Sequence, residues 1–253
     1  MNSLTAEIVI AVLLLGAMVV ALDLGFRAGR RAGLEERAGA GNQVGAIQGA
    51  VLGLLALLLA FSFSSAMSRF LERQDLIAQE ANAIGTSWLR AELLEEPARS
   101  ELRSALEAYT AHRVEASERL GQGWDPEILA EVDRLHARIW SAASGGVRKR
   151  PDLALAILDP VNEVLDVHAL RVAAVWKHLP GVVLFLLAAC SLLSVGAIGY
   201  GCGMDRRRRW RLCLSLAILV SAALWITVDL DHPRQGLLQL DDAPLRALKF
   251  ERR

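Results

Sequence analysis

The sequence predicts an all-α membrane protein: four transmembrane helices, with a helical extramembrane domain between the second and the third. Three observations carry that fold class. Uncharged apolar runs occupy residues 8–22, 44–68, 179–204 and 212–228. A bilayer core asks about 20 such residues of a spanning helix and leaves backbone amides no water to pair with outside one. The long stretch between the second and third runs has helical periodicity and no sustained period-two alternation. Finally, 53% hydrophobic content and a mean hydropathy of +0.33 over 253 residues leave room for four spans and one sizeable segment outside them.

The first hairpin is expected over 1–67, with spans at about 6–26 and 44–67. No Lys or Arg precedes residue 8, whereas Arg27, Arg30, Arg31 and Arg37 follow the first run, so it reads as a retained span and not a cleaved leader. Gly25, Gly29 and Gly33 end that span at four-residue spacing, and Gly45, Gly49 and Gly53 repeat the spacing in the second. Small residues let helices approach closely in lipid or line a pathway. Gln48 is the strongly polar side chain deep in the second span, and Phe61, Ser62, Phe63, Ser64 and Ser65 cluster at its far end, a pattern that suits a narrow, dewetting neck.

Residues 68–178 form the helical domain, with breaks expected at Glu96-Pro97, 121–126 and 145–151. Its first helix continues the second span and carries Phe70, Ile77, Ala81, Ile84 and Trp88 on one stripe, with Arg73 and Glu80 on or beside it. A second helix follows Pro97 with Leu102, Leu106, Tyr109, Arg113 and Leu120. A third, capped by Asp125-Pro126, carries Leu129, Val132, Leu135 and Ile139 and is expected to end at Gly145 and Gly146. Asp159-Pro160 is expected to open a fourth with Val161, Val164, His168, Val172 and Val175 on one face, handing over to the third span near Leu179. On it Asn162, Glu163, Asp166, His168 and Arg171 read as a buried polar network. The second hairpin spans 179–230, with helices at about 179–204 and 211–229, and 231–253 is a tail.

Charge narrows the function. Residues 69–178 hold 14 Lys or Arg against 18 Asp or Glu, which offers nucleic acid no basic face. No charged side chain interrupts the four runs, which disfavours proton-coupled carriers. Metalloprotease, phosphate-loop, nucleophile-elbow and paired-cysteine motifs are absent, so neither an enzyme nor a cofactor is expected. Cys190, Cys202 and Cys213 all lie in or beside the last two spans. Asp229 and Asp231, with His232, are a weak candidate for a hard cation, and no metal site is assigned. Basic connections after the first span and at 206–211 set those loops in the cytoplasm of a bacterial-type inner membrane and the helical domain on the outer face.

The run from Gly53 to Arg90, above all its EANAIGT stretch at 80–86, resembles the bestrophin-like domain family. NEVLDVH at 162–168, the proline-led third span and DLDHPRQG at 229–236 agree in order. Bestrophins proper are pentameric anion channels of four spans whose second lines a hydrophobic neck. The resemblance implies a homo-oligomer, a pentamer among the possibilities, that passes inorganic ions. It makes Leu55, Leu58, Leu59, Phe61 and Phe63 constriction residues, beside the Gln48, Ser62 and Ser65 already noted. Arg73, Glu80 and Asn82 would shape a vestibule. The alternative is a non-conducting sensor or scaffold that the spans only anchor.

Overall fold

The computed structural model describes residues 3–32, 40–119, 126–205, 210–233 and 236–250. Leu120, Asp125, Gly33, Arg234 and, among the arginines that set orientation, Arg37 and those at 206–209 lie outside them. All regular structure among the described residues is helical: α1 (Ser3–Ala32), α2 (Ala40–Arg90), α3 (Ala98–Arg119), α4 (Pro126–Lys149), α5 (Ala154–Val175), α6 (Gly181–Met204), α7 (Trp210–Asp231) and the short α8 (Ala243–Arg246). Four of these, α1, α2, α6 and α7, are long and apolar enough to cross a membrane. At 51 residues, α2 is about 75 Å long at about 1.5 Å per residue.

The chain divides into two units, Met1–Ser68 with His178–Leu238, and Arg69–Lys177 with Gln239–Arg253. In the first, Met18, Leu22, Leu187, Val195, Ala217 and Leu224 form a small apolar core. The stronger feature is how α1 meets α6. A Cβ built on Gly25 would stand 2.0 Å from the Gly196 carbonyl oxygen, and one on Gly29 1.9 Å from that of Tyr200. Reciprocally, Gly199 and Gly203 admit the Leu22 and Phe26 carbonyls, each 2.2 Å from a built Cβ. The two helices therefore touch backbone to backbone, which only glycine permits. Hydroxyls bond inside their own helices, Ser191 to the Leu187 carbonyl and Ser194 to that of Cys190, both at 2.7 Å, so these two groups are paired without water. By contrast 6% of the most apolar stretch of α2 is buried, against 28% in α6 and 33% in α7. Among the described residues, nothing lies within 4 Å of a Cβ built on Gly45, Gly49 or Gly53.

The second unit has a conventional core of Ile77, Ile84, Leu102, Leu106, Tyr109, Ile139, Ile157, Val161 and Leu245. Arg103 lies 4.1 Å above the Trp88 ring, with Phe250 on the same tryptophan at 5.8 Å. Gln74 holds the Asp241 backbone from both sides, at 2.7 and 2.9 Å, and so ties residues 239–250 to this unit.

Three expectations fail in this region. Gly145 and Gly146 do not end α4, which runs to Lys149; Gly146 is there because a Cβ would stand 2.9 Å from the Leu94 methyls. Pro160 does not open a helix either. A 3₁₀ turn at Pro151–Leu153 starts α5 earlier, and Pro160 lies inside it. Its missing N–H frees the Ala156 carbonyl, and Arg90 Nη1 donates to that oxygen at 3.0 Å. Nor does α5 hand over smoothly to the next span. It ends at Val175, and Pro180, extended at φ −56° and ψ 134°, begins α6 as its N-cap.

Candidate functional site

The densest polar cluster forms where α2, α3, α4 and α5 of the second unit meet. Glu80 has no exposed surface. It accepts from the Tyr109 hydroxyl, from Arg113 Nε at 3.2 Å and from Arg171 Nη1, while His168 Nδ1 stands 3.9 Å away. Asp242 Oδ1, from the segment before α8, lies 3.8 Å from Arg171 Nη2. Two guanidiniums thus face two carboxylates, the condition under which buried charge is tolerated. Helical period places them: Ile77, Glu80, Ala81 and Ile84 share the buried side of α2, and Leu102, Leu106, Tyr109 and Arg113 that of α3. The His136 ring stacks edge-on to His168 at 4.9 Å and lies 5.1 Å from that of Tyr109.

Electrostatics follow from this enclosure. Burial pushes the Glu80 carboxyl up, but Arg113, Arg171 and the Tyr109 hydroxyl outweigh it and hold it below its usual range. Burial and the Glu80 charge push the Tyr109 phenol well up, so it remains a donor. Burial, then the Arg113 guanidinium, lower His168 to about 3; burial chiefly lowers His136 as well. Both imidazoles are neutral near pH 7. The cluster is a set of struts that fixes the helices.

The residues singled out from the sequence separate. Of the network on α5, His168 and Arg171 are buried, whereas Asn162, Glu163 and Asp166 are exposed, because the enclosed face runs Val161, Val164, His168, Arg171, Ala174. Among the vestibule candidates Asn82 is exposed. Arg73 is 6% exposed and caps the end of α5, giving Nε to the Ala174 carbonyl at 3.1 Å and Nη2 to that of Lys177 at 2.7 Å. Glu80 and Arg73 therefore present no charge to solvent in the single chain.

Along the apolar part of α2, Leu55 and Ser62 are buried and Leu58 and Leu59 pack on the core of the first unit. Gln48 Nε2 donates to the Ala197 carbonyl of α6. Only Phe61, at 64% exposure, Phe63 and Ser65 of the neck candidates face outward, so the remaining five belong to the inner face of the helix. The outward face adds Leu54, Leu57 and Ser64. Asp229 accepts the Leu237 and Leu238 amides, each at 3.0 Å, and Asp231 accepts that of Leu179 at 2.8 Å. These carboxylates hold the chain around the ends of α6 and α7.

Tyr109, Arg113, His136 and Asp242 were not read as members of a site. A cation at Arg113 on an otherwise apolar stripe was the available signal; Asp242 has none, because its partner is distant in sequence.

The sequence profile of the Bestrophin-like domain matches residues 11–245, from within α1 to α8. The chain belongs to the bestrophin-like family. No curated protein and no solved structure matches it. The family match takes in all four apolar helices and the Glu80 cluster alike, and this bestrophin-like chain is a multi-pass membrane protein in contact with lipid.

Proposed function

We propose that this bestrophin-like protein is one subunit of a homo-oligomeric, pentamer-like ion channel, with α2 lining the pore and anions favoured. The observation that carries the reading is the outward face of α2. Gly45, Gly49 and Gly53 meet nothing within 4 Å among the described residues, although they lie in a helix that lipid alone gives no reason to furnish with such small residues. In a ring the glycines admit neighbouring copies, Leu57 and Phe61 form the neck, and Ser64 and Ser65 supply hydroxyls beyond it. The exposed Arg30 and Arg31 at the end of α1 favour anions. In this account the 69–177 unit is the extramembrane domain, on the outer face of a bacterial-type inner membrane. Its Glu80 struts hold α2 rigid, and Asn82 faces the vestibule.

Purified complex in planar bilayers tests this. Under a chloride gradient the current should reverse near the chloride equilibrium potential, and Phe61→Ala should raise the conductance by widening the neck. An assembled complex that passes no current above that of protein-free bilayers overturns the channel and leaves the anchored sensor or scaffold.

A further inference from the structure

Two imidazoles and a carboxylate converge where α6 begins and α7 ends, entirely within the first unit. His178, Asp231 and His232 each place one ligand atom within 4.8 Å of the other two. The His178 and His232 rings stack at 4.7 Å, 11° from parallel. His178 Nδ1 lies 3.1 Å from the Asp231 carbonyl oxygen and His232 Nδ1 3.2 Å from that of Val228. A carbonyl can only accept, so in both neutral rings Nδ1 carries the hydrogen and Nε2 the lone pair. Imidazoles bound to metals are held in this way, the distal N–H anchored on a backbone carbonyl. Asp231, 1% exposed, is fixed by the Leu179 amide and stands 3.5 Å from His178 Nδ1.

We propose that His178, Asp231 and His232 bind a divalent transition-metal ion of the zinc class. Two imidazole nitrogens and one carboxylate oxygen form the donor set that zinc accepts, with a fourth position left to water. Calcium and magnesium require oxygen donors, and the neighbouring carboxylate that could add them, Asp229, accepts the Leu237 and Leu238 amides. A tetrahedral zinc sets its ligands about 3.4 Å apart and lies in the plane of each imidazole that binds it, so the half-exposed His178 ring turns out of its stack on His232 when the ion enters. The ion clips the entry of α6 to the exit of α7. The site is independent of the channel reading.

The test is titration of the full-length, detergent-solubilised, chelator-stripped protein, free of any polyhistidine tag, with Zn²⁺ by calorimetry and with Co²⁺ by absorption. One ion per subunit is expected, with the visible spectrum of tetrahedral cobalt, and His178→Gln or His232→Gln should weaken binding about tenfold or more. Asp229→Asn should leave it unchanged. Zinc bound no more tightly by the wild type than by the doubly substituted chain overturns the site. If those chains lose helicity, X-ray absorption of the zinc-loaded wild type decides: a shell with two imidazoles supports the assignment, and one of oxygen alone overturns it.

Discussion

The glycines of α1 and those of α2 repeat at the same four-residue spacing, yet Gly25 and Gly29 lie against the backbone of α6 while Gly45, Gly49 and Gly53 face open space. The first ladder has its complement in the same chain, in Gly196, Gly199 and Gly203. The second has none among the described residues. Spacing announces that a backbone will be approached closely; it does not say by what. A ladder satisfied within the chain is a folding element, and one left bare is, in the channel proposed above, a surface for another copy.

Breaking the first ladder should have the largest effect. Gly29→Leu drives a side chain into the Tyr200 backbone, where no rotamer relieves the clash, and should cost about 3 kcal/mol or more, seen as loss of folded protein in a detergent melt. A substitution outside both ladders sharpens the contrast. Glu80→Ala leaves Arg113 and Arg171 buried without their shared carboxylate and should cost about 3–5 kcal/mol, read as early melting of the second unit with the α1–α6 packing intact.

Acid separates the regions without mutation. Burial, then the Arg113 guanidinium, push His168, enclosed by Glu80, Arg113, Arg171, His136 and Tyr109, down to about 3 in the fold, against about 6.5 for a free imidazole. Between these values the unfolded chain binds the extra proton. Stability should therefore fall as pH drops below about 6.5, by about 1.4 kcal/mol per pH unit for this one residue. His168→Gln should flatten that slope in denaturant melts taken at several pH values, while the ladders, built of glycine and backbone, contribute none of it. The smallest effect on stability belongs to Gly49→Leu, within about 0.5 kcal/mol for the single chain because its Cβ meets nothing. The same substitution should strip subunits from the complex. A Gly49→Leu chain that unfolds as Gly29→Leu does would erase the distinction.

The spans were legible because hydrocarbon permits few alternatives to a long apolar helix, and α2 was legible as continuous because neither Gly nor Pro interrupts 61–84. Local rules misled where tertiary contacts override them. Pro160 signals a helix start, but a guanidinium from Arg90 takes over the carbonyl it frees, so the helix passes through it. Gly146 signals a stop, yet it is a notch for Leu94. In the polar cluster, His168 could be read from its place on an apolar stripe and Arg171 from the run of polar residues around it, whereas Asp242 reaches Arg171 from 71 residues away, a distance no local pattern encodes. The two glycine ladders were equal in the sequence, and only the structure separates them.

The central claim, that the bare ladder of α2 is covered by further copies of this chain, is tested most directly by the mass of the detergent-solubilised wild-type complex. The account predicts a mass near that of five subunits, falling in Gly49→Leu. A wild-type monomer would contradict it.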